Sequence, residues 1–273
     1  MKTFLPEMTY VEVIEAAERG AVVLVPVGTI EGNAPHMPMG YDYLFADAVA
    51  ARVADKTGSI RLPGIAFGVS ELLSGFPGTI FISPDMLQAQ VECILRSLIK
   101  HGFEHILLIG NHIPNQQPME NACRNIRAEC GVIAASSYPG MLAKALGGDI
   151  FDDPSEMGHG AEPGTSIMQH LTPDAMRMDL LEPHRRVDGV GGFEFSSPFA
   201  VVHGEAEVNV YLDLHDLTHN GQMADPVSAS PEKGAAIMER IVDFTASFVE
   251  RFREVDTRTI VAATPDHYSG SGS

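Results

Sequence analysis

The stretch Ala21-Val-Val-Leu-Val-Pro-Val27-Gly-Thr-Ile-Glu31-Gly-Asn33-Ala-Pro-His36-Met-Pro-Met-Gly-Tyr-Asp42 organises the chain. Its opening run is short, rich in valine and stopped by Gly28, the pattern of a strand buried on both faces. Three prolines and three glycines then interrupt the chain between Pro26 and Asp42, so the segment reads as a stiffened, irregular loop. Glu31, Asn33, His36 and Asp42 fall on it. Oxygen and nitrogen donors crowded beyond a strand's carboxyl end can hold a metal ion. A polar loop with solvated charges is the alternative these residues alone leave open.

Outward from this stretch, the order of elements is strand, helix, strand, helix, strand. Residues 9–19 form a helix capped by Thr9, and residues 43–57 another that stops at Gly58. A second strand is expected over 60–67, and a turn leading into a β segment over 76–82. Ser83-Pro84-Asp85 is a helix start: a capping serine, a proline at the first position and an acid in the first turn. Leu87, Val91, Ile94, Leu95 and Leu98 give that helix its apolar stripe. Residues 105–109 form a third buried strand, which delivers His112. A helix over 121–129 and a strand over 131–137 follow. Residues 138–162 read as a long, glycine- and acid-rich connection, with Pro163 opening a helix to about Leu171. Between Asp174 and His219 the pattern weakens to a helix start, a glycine-rich excursion and a strand over 208–212. Ser230-Pro231-Glu232 opens a final amphipathic helix reaching about Arg253.

This alternation predicts the α/β class: a single domain over 1–267 with a mainly parallel sheet sandwiched between helices. Residues 268–273 read as a flexible tail. On such a sheet Glu31 and His112 leave strand carboxyl ends on the same rim, where open α/β sheets bind ligands.

The chain has 273 residues, 45% of them apolar, and a formal net charge of −18. That balance argues against nucleic acid and anionic membrane surfaces as partners. Three cysteines (Cys93, Cys123, Cys130) show neither paired spacing nor an even count, which fits a reducing cytoplasm rather than disulfides or a thiolate zinc site. Cys93 and Cys123 are expected as core fillers. The start, Met-Lys-Thr-Phe-Leu-Pro-Glu, has no long apolar region, so neither a signal peptide nor a membrane helix is expected, and the location predicted is cytoplasmic.

Glu31, Asp42, His112 and Glu162 are three carboxylates and an imidazole from separated segments. Clustered carboxylates repel unless a cation lies between them, and this donor mixture suits Zn²⁺ or Mn²⁺. No Gly-x-Gly-x-x-Gly follows a strand, and no Gly-x-Ser-x-Gly elbow is present, which argues against a dinucleotide fold and a serine hydrolase.

The pattern Pro26-Val-Gly-x-x-Glu31-x-x-x-Pro-His36-x-Pro-x-Gly-x-Asp42 resembles the signature of the creatininase (creatinine amidohydrolase) family. Gly68-Val-Ser70 with Phe76-Pro-Gly-Thr-Ile80, the run from His101 to Asn115, His159-Gly-Ala-Glu162-x-x-Thr-Ser166, and Ala224-Asp-Pro226 through Gly234 are similar to further family segments in the same order. The resemblance implies a homo-oligomer, in the family often a hexamer, and a centre of one or two divalent ions, Zn or Mn. It implies metal ligation by Glu31, Asp42 and His112, with Asp42 placed to bridge two ions and Glu162 on or near them. His159 would move protons or hold substrate, and His36 would support the site or shuttle protons. Asn33 stands where the family carries a histidine ligand, and Pro114 where creatininase carries a glutamate. Both departures argue against creatinine as the substrate.

The function expected is therefore a metal-dependent hydrolase that opens a small polar cyclic substrate by attack of activated water on a carbonyl. A cyclic amide C–N bond comes first. A C–C bond in a dehydro-inosose, a formamide, or binding without turnover are the rivals. Glu162, His159 or His36 would handle the proton.

Overall fold

A computed structural model describes residues 1–197 and 199–258; the expected tail over 268–273 lies outside the described residues. Four strands, β1 (Val23–Val27), β2 (Ile60–Arg61), β3 (Ile106–Gly110) and β4 (Ala135–Ser137), pair in parallel in the order β2-β1-β3-β4. Along β1, Val22 and Leu24 enter one core and Val23, Val25 and Val27 the other. Leu107 and Ile109 alternate with Ile106 and Leu108 in the same way on β3. Burial on both faces is why these strands read as continuous apolar runs.

The first core packs α2 (Tyr41–Thr57), α5 (Pro139–Leu146), α6 (Gly164–Leu171) and α8 (Pro231–Phe252) on one face of the sheet, while α7 (Leu214–Leu217) packs in a small separate cluster with Leu73. The second packs α1 (Tyr10–Glu18), α3 (Pro84–Lys100) and α4 (Gln116–Cys130) on the other. Helix starts follow their caps. The Thr9 hydroxyl accepts from the Glu12 amide in a capping box, Ser83 accepts from Met86, and Ser230 from Lys233. Among the described residues no helix is long and apolar enough to cross a membrane.

Several elements differ from the sequence expectation. Asp42 is not on the loop: α2 begins at Tyr41, so Asp42 stands in its first turn, where the helix dipole favours negative charge. β2 stops at Arg61 because Pro63 cannot donate to the ladder; only Ile65 returns, bridging Val27. The 76–82 segment contributes a single bridge, Ile80 to Ile30. β4 is confined to its last three residues, and α4 starts earlier than expected, with Pro118 tolerated in its first turn. The connection over 138–162 contains α5. Residues 189–209 build a separate antiparallel sheet of β5 (Gly189–Val190), β6 (Phe193–Ser197), β7 (Ala200–His203) and β8 (Ala206–Asn209). β6 and β8 have almost no buried residue, so no alternation marked them in the sequence. Cys93 is exposed on α3 and Cys123 half-buried, so Cys93 is not a core filler.

Gly28 sets the distance between β1 and α2. A Cβ there would lie 2.3 Å from the Tyr43 Cα and 2.4 Å from its nitrogen, a clash with backbone that no side-chain shift relieves. Gly28→Ala is expected to cost about 1–3 kcal/mol in urea unfolding and to move Asp42 away from β1. An unchanged unfolding midpoint would contradict this packing.

Candidate metal centre

Glu31 and His112 leave the carboxyl ends of the two central strands, where the strand order turns back on itself, and α2 brings Asp42 between them. One donor atom from each of these three buried side chains lies within 4.8 Å of the other two. His112 Nδ1 is 3.2 Å from Glu31 Oε2 and 3.7 Å from Asp42 Oδ2.

The loop carrying Glu31 is fixed by backbone bonds. The Glu31 amide donates to the Met39 carbonyl, Gly32 to the Thr79 hydroxyl, and Ile80 to the Ile30 carbonyl. Neighbouring side chains then aim each ligand. Ser70 Oγ donates to Glu31 Oε2 at 2.6 Å, and Thr29 lies 2.5 Å from the same hydroxyl. Asn111 Nδ2 donates to Asp42 Oδ1 at 2.6 Å, leaving Oδ2 toward the histidine. The Asn111 oxygen accepts from the Gly140 amide at the start of α5. His112 Nε2 donates to the Val69 carbonyl at 2.7 Å, which turns Nδ1 toward the two acids. Buried Asn115 accepts from the Val69 amide and donates to the Gly28 carbonyl, tying that loop to the end of β1. Ser70, Asn111 and Asn115 had no assigned role in the sequence. All three sit within quoted family-like segments, which is the signal that pointed to them.

His159 reaches the same centre. Its Nδ1 donates to the Gly221 carbonyl at 2.7 Å, so Nε2 faces Glu31 Oε1 at 3.5 Å. Neither Nε2 nor that Glu31 oxygen has a hydrogen-bond partner among the described residues, although both are buried. The loop approaches closely because Gly160 has φ +65, and a Cβ there would meet the Asn33 carbonyl at 2.4 Å.

Burial would raise the Glu31 carboxyl, but the charge and hydrogen bond of His112, with His159 close by, hold it well below the usual range. Burial, and then the Glu31 charge, push Asp42 up to about 7. Burial would depress His112, yet the two acids push it up to about 9. Without a cation, a proton must hold these acids together. An orphaned carboxylate oxygen, two acids and an imidazole aimed at one point fit a divalent ion in that proton's place.

The other residues singled out in the sequence lie differently. Asn33 is buried on the wall of the same cavity, and its Nδ2 has no partner among the described residues. Glu162 does not join the three donors. Its Oε1 accepts from the Ser166 hydroxyl and its Oε2 from the Ser166 amide, in the first turns of α6. Ser166 in turn accepts from the Ser230 amide that starts α8. His36 is fully buried off the cavity wall, 3.1 Å from the Thr165 hydroxyl, and burial pushes it down to about 4. It is neutral at pH 7.

The cavity over the three donors has a volume of about 570 Å³. Its walls are mainly apolar, with Met37, Leu72, Met141, Met157, Phe199 and Met223 among them. The previously unassigned α5 and the segments around Arg186 and Phe199 thus close over the rim of the sheet.

A family model described as creatininase, creatinine amidohydrolase, matches residues 6–249. The creatinine amidohydrolase of Pseudomonas putida is 29% identical over 198 residues, 66% of this chain and 76% of that protein. A mycofactocin precursor peptide peptidase of Mycolicibacterium smegmatis is 26% identical over 238 residues, 85% of each. A solved structure described as creatininase Mn superposes with a TM-score of 0.78 at 24% identity, covering 93% of this chain and all of that one.

A metal must displace the His112 proton, and at lower pH the Asp42 proton as well. Affinity for Zn²⁺ or Mn²⁺ is therefore expected to rise from pH 6 to pH 9, by roughly tenfold per unit for each proton displaced. Titration calorimetry in buffers of different ionisation enthalpy would check it, and a pH-independent affinity would contradict it. Ser70→Ala, which removes the hydroxyl that aims Glu31, is expected to weaken metal binding about 10–100-fold.

Proposed function

The chain belongs to the creatininase family of metal-dependent amidohydrolases, and from that premise we propose that it hydrolyses an amide C–N bond at one divalent ion held by Glu31, Asp42 and His112. The single observation behind this reading is the buried trio of donors, each already aimed by its own hydrogen-bond partner. Oxygen and imidazole donors suit zinc or manganese. One ion rather than two is proposed because Asn33 and Pro114 supply neither a carboxylate nor an imidazole. The other trio among the described residues, Asp213, His215 and Asp216, is exposed.

Such an ion would supply an acidified water and polarise a carbonyl. The chain's own residues do the rest. Asn33 Nδ2, buried without a partner on the cavity wall, donates to the substrate carbonyl oxygen and so orients it. His159, its tautomer set by Gly221, holds a proton on Nε2 and passes it to the leaving nitrogen. In balance, the water oxygen bonds to the carbonyl carbon, the C–N bond breaks, and both water protons end on nitrogen. The products are a carboxylate and an ammonium. Glu162 is bound to Ser166 and serves to fix the α6–α8 junction behind the site. His36 does the same for α6 through Thr165.

A small cyclic amide fits the expectation from family resemblance. The cavity's volume and apolar walls favour a second reading, a linear amide of peptide type, and one relative similar over 85% of the chain is described as a peptide peptidase. A polyol-derived ketone is less suited, since its hydroxyls would lose hydrogen bonds against methionine and leucine walls. Exposed Phe193, Val202 and Val208 on the second sheet support the homo-oligomer reading.

Elemental analysis is expected to find about one equivalent of zinc or manganese per chain, and close to none in His112→Ala. A wild-type protein that holds no metal after reconstitution would sink the reading. His159→Gln is expected to keep the metal but lower kcat by roughly 10²–10⁴ on whichever member of a cyclic-amide and dipeptide panel is turned over.

A further inference from the structure

The cavity above the three donors carries two basic residues, Lys144 and Arg186, and its carboxylates are Glu31 and Asp42 alone. Lys144 lies on α5, on the same helix face as Gly140 and Met141, which also line the cavity. Among the described residues Lys144 has no ion-pair or hydrogen-bond partner. Arg186 has only a loose contact, 3.7 Å from a highly exposed Asp188.

With Glu31 and Asp42 neutralised by a divalent ion, Lys144 and Arg186 leave the cavity positive in a chain whose net charge is −18. A long-range negative field repels anions, so Lys144, without a partner among the described residues, and Arg186, held only by its loose contact with Asp188, stand against the general trend of the molecule on one apolar cavity. We propose that the substrate of this site is an amide carrying an apolar body and a carboxylate, with the carboxylate seated by Lys144 and Arg186 at the mouth. The apolar walls take the body, and the scissile carbonyl reaches Glu31, Asp42 and His112 at the floor. A carboxylate is the anion proposed because two cations from separate segments offer one donor group to each of its two oxygens. Lys144 and Arg186 act as specificity-determining residues and touch no reacting atom. The proposal rests on the metal-hydrolase reading above.

The test uses the metal-loaded protein and hydroxamate probes that bind through the metal. A series of ω-carboxyalkyl hydroxamates, with apolar stems of increasing length, is compared with the matching methyl esters by titration calorimetry at low salt. At the best stem length the acid is expected to bind about tenfold more tightly than its ester, the sum of two partly exposed ion pairs. That preference should shrink to about threefold in Lys144→Met, vanish in Lys144→Met with Arg186→Gln, persist in Lys144→Arg, and fall with added salt. Metal content should be unchanged in all three variants, since neither residue is among the ligands. Equal affinity for acid and ester at every stem length in the wild type, or a preference that survives the double substitution, would overturn the proposal while leaving the hydrolase reading in place. A protein that retains metal but binds neither hydroxamate, or retains no metal, would overturn the hydrolase reading itself and the proposal with it.

Discussion

Two carboxylates, Glu31 and Asp42, are buried within reach of one imidazole at the carboxyl ends of the central strands. Everything around them serves to make that arrangement bearable. Charge is costly to bury unless paired and hydrogen-bonded, so each ligand has its own partner: Ser70 for Glu31, Asn111 for Asp42 and the Val69 carbonyl for His112. These partners come from three different segments and are themselves anchored. Asn115 ties the Val69 loop to β1, and α5 begins on Asn111. The site is thus a network spanning the sheet's edge rather than a loop that happens to carry acids. Glu31 Oε1, His159 Nε2 and Asn33 Nδ2, without hydrogen-bond partners among the described residues, mark where charge or a proton still has to be accommodated.

The sheet places the three donors, and the surroundings shape the cavity over them. α5, the segment before β5 and Phe199 close a cavity over the donors with methionine, leucine and phenylalanine walls. A wall of this kind excludes water and strengthens any charge interaction inside it. It also bears on the two departures from the family pattern. Asn33 replaces an imidazole by a neutral carboxamide, and Pro114 removes a carboxylate. Both changes reduce the donors available beside Glu31, Asp42 and His112, which keep their own places.

The parts legible in the chain were those governed by neighbours in sequence. Thr9, Ser83 and Ser230 mark helix starts because capping is a bond between residues three apart, and β1 and β3 stand out because burial on both faces forces an apolar run. Glu31 and His112 could be expected on one rim because strand polarity alone puts them there, whereas Asp42 joins them through the first turn of α2. The second sheet could not be read, since β6 and β8 are exposed on both faces and leave no alternation. α5 was hidden in a connection whose glycines and acids resemble a loop.

The sequence by itself therefore determined the parallel α/β frame, the helix boundaries set by caps, and which strand ends carry donors. Tertiary structure decided which way each donor faces. Glu162 is two residues from Gly160, which packs against the Asn33 loop, yet its carboxylate is taken by Ser166, whose hydroxyl also meets the start of α8. His36 lies in the same motif as Glu31 but is buried against Thr165, 129 residues away. Lys144 faces the cavity only because α5 docks on Asn111 through Gly140. In each case the partner is distant in sequence, and a side chain's direction is set by the bond or burial available in the folded molecule, which local pattern does not encode.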